Sequence, residues 1–258
     1  MPRNADLQRI RTLLDRDRHW AAYAIGDLDP DRLRDCQWHT PAGDSSALLL
    51  LYRGFHPPIT FAMGDGSDLA PLFGEIDAPE ISLHLRAEAM AAMRPSYEPM
   101  HIQPMWRMVV DGRTFRAAPN TVDVTPLDES DLSALTDLYE DGRADGEMPA
   151  FFHPAMLRQG AFRAVREGGD IVAAAGTHLF SPALGVCTIG NVYTRRDRRR
   201  QGLAARVTSA VVSHALSEGI PTIVLNVRQD SAGAIRVYEQ LGFRRHCGFF
   251  EGTAVKPQ

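Results

Sequence analysis

The sequence predicts an α/β protein in two halves. Three observations lead there. Apolar runs of strand length alternate with amphipathic runs of helix length along the chain. A polar, turn-forming segment at residues 111–120 interrupts them near the middle. Beyond it, an apolar run at 186–193 passes through a basic turn, Arg199-Arg200-Gln201-Gly202-Leu203-Ala204, into an amphipathic run at 203–216. At 258 residues the chain can form one large domain or two small ones and bury a core without staples. The organisation expected is an accessory half at 1–110, a linker at 111–120 and a second half at 121–258 that carries the functional motifs.

In the first half, 7–17 and 20–26 read as helices, and 47–53 and 60–63 as strands. A helix at 68–73, a strand at 81–85, a helix at 87–93 and a strand at 105–110 follow. This order loosely resembles that of the second half, without repetition of residues. Past the linker, 122–127 reads as a strand. Asp128 can cap a helix through Tyr139, with Leu132, Leu135 and Leu138 on one face. A loop with glycine and acidic residues covers 141–149, and a second helix is expected at 154–165. Strands at 170–180 and 185–194 flank a Ser181-Pro182 turn. The helix from Leu203 ends at Glu218-Gly219, where glycine suits the C-terminal cap. Residues 222–227 are nearly all apolar, as suits a strand buried on both faces. A short helix at 232–241 stops at Gly242, and a strand at 243–253 closes the sequence.

Composition excludes several classes. A net charge of −4 gives no global basic field for nucleic acid. The basic run at 195–200 is embedded between core elements, so it points to a small anion. Cys36, Cys187 and Cys247 are few, odd in number and far apart, with neither zinc spacing nor a disulfide framework. No metal is expected. The start of the chain lacks the apolar core of a signal peptide, and the apolar run at 47–52 is too short to span a bilayer. The expectation is a soluble, cytoplasmic protein without membrane or nucleic-acid partners, and homodimerisation stays open.

The turn at 199–204 has the chemistry of a pyrophosphate cradle. The first backbone N–H groups of a helix have no internal partner, and the helix dipole is positive there. Gly202 lets the backbone approach a phosphate closely, and Ala204 leaves the next N–H unshielded.

Residues 120–250 resemble the GNAT superfamily of acyl-CoA-dependent N-acyltransferases. The family's Arg/Gln-x-x-Gly-x-Gly/Ala motif stands here as Arg199-x-x-Gly202-x-Ala204. A second signature follows in order: a short strand ending Leu225-Asn226-Val227, then Ser231-x-x-Ala234-x-x-x-Tyr238 and Gly242-Phe243. Ser231 stands where the family usually has asparagine. The strands with Gly176-Thr177-His178 and Gly190-Asn191-Val192 further resemble the glycine N-acyltransferase-like branch. The resemblance implies a mixed, mostly antiparallel sheet flanked by helices, in tandem with a degenerate GNAT-like N-terminal half.

It also implies acetyl-CoA as acyl donor and a small-molecule or peptide amine as acceptor. Backbone N–H groups of Gln201, Gly202, Leu203, Ala204 and Ala205 would hold the pyrophosphate, with Arg199 and Arg200 in the same cofactor-binding set. Arg195, Arg196, Arg198 and Arg200 can screen the ribose phosphate. A bulge would free backbone groups of Val192, Tyr193 and Thr194 for pantetheine, and Ser231 could cap its helix or bond a pantetheine amide. Tyr238 matches the family's general acid, and a phenol stays protonated at neutral pH. Asn191 stands where relatives carry a basic carboxylate and cannot act as one. His178, Glu147 through water, or no protein base at all are the readings left. Each residue also has a plainer role: core packing for His178 and Tyr238, strand pairing for Asn191, a solvated loop for Glu147. The alternative function is a non-catalytic acyl-CoA sensor. The N-terminal half lacks the cradle motif and is expected to wall off an acceptor site or form a dimer face. Trp20, Trp38 and Trp106 are candidates for that wall, with core packing as the default.

Overall fold

The structure, a computed structural model, describes residues 4–43, 45–149 and 152–257. In chain order the elements are α1 (Asn4–Leu14), α2 (Ala22–Gly26), α3 (Pro30–Leu33), β1 (Cys36–His39), β2 (Leu48–Tyr52), β3 (Ile59–Met63), α4 (Gly66–Glu75), β4 (Glu80–Leu85), α5 (Ala87–Met93) and β5 (Glu98–Val110). They continue with β6 (Val124–Pro126), α6 (Leu132–Glu140), α7 (Ala155–Gln159), β7 (Arg163–Glu167), β8 (Asp170–Ser181), β9 (Val186–Thr194), α8 (Leu203–Ser217), β10 (Thr222–Arg228), α9 (Ala232–Gln240) and β11 (Arg244–Val255). The fold is mixed α/β, with mostly antiparallel strands and flanking helices. Among the described residues no helix is long and apolar enough to cross a membrane.

Two compact units form. Unit 1 comprises Met1–Arg107, Arg228–Asp230 and His246–Gln258, and unit 2 comprises Met108–Val227 and Ser231–Arg245. The division differs from a cut at a linker, because most of the last strand belongs to unit 1. The reason is pairing: β11 runs antiparallel to β4, from Phe250 opposite Leu85 to Val255 opposite Glu80.

Unit 1 lays its strands in the order β1-β2-β3-β4-β11. Pairing is antiparallel from β1 to β3 and parallel between β3 and β4. The parallel step needs a crossover, which α4 supplies. The five residues of β2, Leu48–Tyr52, are all buried. Leu49 and Leu51 meet Leu69 and Phe73 of α4 and Met90 and Met93 of α5 in one apolar cluster.

Unit 2 has the order β10-β9-β8-β7-β6. Here β6 to β9 pair antiparallel, and β10 runs parallel to β9 with α8 as the crossover. Both units therefore share one sequence of moves: antiparallel strands, a crossover helix, a parallel strand and a second helix. In α8 the buried residues Leu203, Val207, Val211 and Ala215 recur every four positions and form its core stripe. Gly219, at φ +72°, ends the helix as expected, and Ile220 N–H returns to Ala215 O at 3.1 Å.

Two expectations need correction. The helix read at 154–165 stops at Gly160, and β7 begins at Arg163. A Cβ at Gly160 would lie 2.5 Å from Thr177 Oγ1, and Ala161 N–H donates to that oxygen at 3.0 Å. This close approach to β8 turns the chain into a strand that pairs Arg163 with Ala175. The strand read at 105–110 begins at Glu98, despite Pro99 and Pro104. The segment 111–120 has no regular structure, yet it is tied to unit 2. Arg116 N–H donates to Leu241 O at 3.0 Å, Ala118 N–H to Ser209 Oγ at 2.9 Å, and Arg206 Nε to Asn120 O at 2.7 Å.

Gly242 is the tightest point of that tie. It adopts φ +90°, and a Cβ there would sit 1.9 Å from Thr114 O. Gly242→Ala should lower the stability of unit 2 by about 3 kcal/mol, from left-handed backbone strain plus overpacking. Urea unfolding measures this, and an unchanged midpoint would contradict the packing described.

Candidate functional site

The candidate site grows from one irregularity in β9. Across the β8–β9 ladder, Gly176 faces Gly190 but Ala174 faces Tyr193, so β9 carries one extra residue in that interval. Asn191 lies there at φ +53°, a left-handed conformation that asparagine tolerates better than most side chains. The parallel pairing of β9 with β10 stops just before it, at Ile189 opposite Leu225. Beyond that point Gly190, Tyr193 and Thr194 keep a ladder partner on the β8 side only. A backbone edge freed in this way needs other hydrogen-bond partners.

Neighbouring side chains hold the bulge. Tyr139 of α6 donates its hydroxyl to Asn191 O at 2.9 Å. Burial pushes the Tyr139 phenol well above its usual pKa, so it remains a donor. Asn191 Nδ2 approaches Met156 Sδ at 3.6 Å, while Asn191 Oδ1 is buried without a partner. Opposite, a second bulge on β8 places His178 over Gly190, where a Cβ would lie 2.2 Å from His178 Nε2. Only glycine at 190 leaves room for that ring.

The basic turn follows directly. Arg200 and Gly202 both have positive φ, +63° and +75°. The first intrahelical bond of α8 runs from Arg206 N–H to Gly202 O, and no side chain caps the helix. The N–H groups from Gly202 to Ala205 are therefore open, with Leu203 buried beneath them and Gln201 exposed beside them. A Cβ on Gly202 would meet no atom within 4 Å. Gly202 is thus required for its backbone angle and for what approaches it, not for internal packing.

Most of the arginines are already engaged. Arg195 pairs with Asp197 at 2.8 Å, Arg196 with Asp141 at 3.6 Å and Arg198 with Glu167 at 2.7 Å. Arg199 pairs with Glu147 and reaches Tyr193 Oη at 3.4 Å. Arg200 makes no ion pair among the described residues. The Arg199 hydrogen bond holds Glu147 below its usual pKa, which removes the basicity a general base needs. Tyr193 donates its hydroxyl to Asp141 at 2.9 Å.

Tyr238 lies in α9, the helix after β10, and α9 packs on α8. Burial pushes its phenol up to about 12, so it is protonated at neutral pH. Phe243 packs edge-on against it at 5.8 Å. Ser231 is the N-cap residue of α9, but its side chain does not bond the helix N–H groups. The structure thus gathers Glu147, Tyr193 and Arg199 into one cluster and sets His178 against the bulge that carries Asn191. Tyr139 was missed in the sequence, where its only signal is membership of an apolar helix face. Asp141 reads there as part of an acidic loop that could attract a cationic amine, and the structure instead sets it against Tyr193 and Arg196.

Comparison with known proteins narrows the reading. Residues 131–243 match the acetyltransferase (GNAT) family. A mycothiol acetyltransferase of Streptomyces coelicolor is 31% identical over 105 residues, which is 40% of this chain and 31% of that protein. The chain thus matches about a third of that relative's length. A solved GNAT-family structure from Novosphingobium aromaticivorans aligns with a TM-score of 0.62 at 24% identity, covering 90% of this chain and 96% of the other. A GCN5-related N-acetyltransferase from Kribbella flavida aligns at 0.60 and 18%, covering 93% and 95%. These structures show a GNAT-like fold. Residues 131–243 thus resemble the GNAT acetyltransferase family, and the solved structures share the fold.

Unit 1 has a turn in the corresponding position, between β3 and α4, with opposite chemistry. It carries Asp65 and Asp68, and a Cβ at Gly64 would lie 2.5 Å from Ala47 Cα. Two carboxylates and a filled approach exclude a phosphate there. Among the described residues, one group has metal-ligating geometry: Asp17, His19 and His246 of unit 1, with ligand atoms within 4.8 Å. Asp17 there already accepts from His246 at 2.8 Å and Arg86 at 2.6 Å.

Tyr139→Phe would leave the buried Asn191 carbonyl without its donor. The expected cost is about 1–3 kcal/mol, read as a lower urea midpoint. Faster amide exchange along β9 should accompany it. Unchanged stability and exchange would remove Tyr139 from the support of the bulge.

Proposed function

We propose that unit 2 transfers an acetyl group from acetyl-CoA to a primary amine in a ternary complex. The observation that carries this reading is the parting of β9 from β10 at the Asn191 bulge, next to the open N-terminus of α8. The freed edge at Val192, Tyr193 and Thr194 matches an extended chain bearing amides, such as pantetheine. The N–H groups from Gly202 to Ala205 match a pyrophosphate, by direct bonds and by the helix dipole. Arg200 is free to meet a phosphate, and the exposed pairs of Arg195, Arg196, Arg198 and Arg199 are weak enough to exchange partners.

In this reading the neutral amine attacks the thioester carbon, a C–N bond forms and the C–S bond breaks. Tyr238 donates a proton to the departing thiolate; burial keeps the phenol protonated at neutral pH, though as a weaker acid than a free tyrosine. The amine proton leaves through water, since Asn191 is not basic and Glu147 is held by Arg199. His178 remains the candidate to orient the acceptor, with Asn191 Oδ1 as an unused acceptor for an amine N–H. Ser231 would meet pantetheine with its hydroxyl, which does not cap α9. The strand signatures around His178 and Asn191 support a place near the glycine N-acyltransferase-like branch.

One observation favours a second reading, a CoA-binding sensor: Asn191 holds the position where a basic carboxylate would serve catalysis. Turnover of acetyl-CoA against a panel of amines separates the two readings, since a sensor binds without turnover.

Two substitutions test the assignment. Gly202→Glu places bulk and negative charge where a phosphate would sit, so acetyl-CoA binding should vanish in a calorimetric titration. Retained affinity would overturn the cradle. Tyr238→Phe should lower kcat by about 10²-fold or more and leave acetyl-CoA affinity unchanged. A fully active variant would rule out the acid role.

A further inference from the structure

Unit 1 contains a buried cation with no carboxylate at ion-pair distance among the described residues. Arg107 of β5 is 1% exposed. Its Nε and Nη1 are buried without hydrogen-bond partners, and no carboxylate reaches ion-pair distance among the described residues. Three aromatic rings surround the guanidinium: Tyr23 at 4.8 Å, Trp20 at 5.3 Å and Phe249 at 5.4 Å. Arg86 lies over the same Trp20 ring at 4.8 Å, and its Nε is also buried without a partner. The Arg86 charge is met by Asp17 at 2.6 Å, whereas Arg107 has no ion pair and only the longer-range charge of Glu251.

Ring faces attract a guanidinium, but more weakly than water or an anion does. Buried N–H donors without acceptors are rare in native proteins and costly. Three such nitrogens on two guanidinium groups around one indole therefore call for an acceptor. Nearby His84 adds no second positive charge: burial, and then Arg107 itself, push its pKa down to about 3, so it is neutral.

We propose that unit 1 binds a small carboxylate at the Arg107 guanidinium, between the rings of Trp20, Tyr23 and Phe249. The planar fork of arginine matches a carboxylate through two parallel bonds. The ring walls suit a short apolar body attached to it. A dianionic phosphate fits less well, because Asp17 and Glu251 add negative charge to the same neighbourhood. The site lies wholly in unit 1 and does not depend on the acetyltransferase reading of unit 2.

The test is thermal unfolding of the full chain in rising sodium acetate, propionate or benzoate, against sodium chloride at equal ionic strength, with inorganic phosphate as a further arm. A ligand that binds only the folded state raises Tm with concentration. The wild type should respond to at least one carboxylate, and Arg107→Met should not. In chloride, Arg107→Met should be at least as stable as the wild type, because it replaces a buried charge without an ion pair by an apolar chain. If that variant does not fold, Arg107→Lys keeps the charge but loses the fork, and its apparent Kd should rise roughly tenfold or more. Equal responses in wild type and variants, or no carboxylate response in the wild type, would overturn the proposal. A response to phosphate alone would overturn the carboxylate assignment.

Discussion

The hydrogen bond from Tyr139 to the carbonyl of Asn191 is the constraint on which the rest of the candidate site depends. A regular β9 would continue its ladder with β10 and leave no backbone edge free. The extra residue at 191 turns the strand, and the left-handed angle there is strained for any side chain. Tyr139 fixes the redirected carbonyl from a buried, permanently protonated phenol. The β9 edge, the turn that follows and the start of α8 take their direction from that point. The sheet of unit 2 is therefore interrupted at a position set by side chains of α6 and α7.

Charge in this region is arranged differently from what a run of arginines suggests. Four of the arginines from 195 to 199 lie against carboxylates, three of them on other elements: Asp141, Glu147 and Glu167. These exposed pairs add little stability. Their consequence is geometric, because they brace the turn against the loop after α6 and the end of β7. In the proposed reading, anion recognition then falls to fixed backbone N–H groups, which need no rearrangement, while the side-chain charges are buffered by their partners.

Much of this was legible in the sequence. Strands β8 to β10 and helices α8 and α9 carry clean periodicity and punctuation by Ser181-Pro182, Gly219 and Gly242. Local pattern failed where a tertiary contact decides. Gly160 ends a helix because Thr177 lies against it, and nothing near Gly160 in the sequence says so. Pro99 and Pro104 hid the first half of β5, since proline normally argues against a strand. Asn191 was visible as a non-basic residue in a strand, but its backbone angle was not. Arg107 had a signal that could have been followed: a single charge inside the apolar run Met105-Trp106-Arg107-Met108-Val109-Val110. A charge in such a strand is rarely fully buried unless something pairs with it.

The pairing of β11 with β4 has a consequence for biosynthesis. Unit 1 draws most of its strands from the first third of the chain, yet the partner of Leu85 is Phe250. During translation the apolar edge of β4 must wait while all of unit 2 leaves the ribosome. Such a long-range closure is slow, and it makes unit 1 the later of the two to reach its native state. Nascent chains that stall or are cut short after α9 would leave the β4 edge of unit 1 unpaired, the kind of edge that chaperones and proteases attend to.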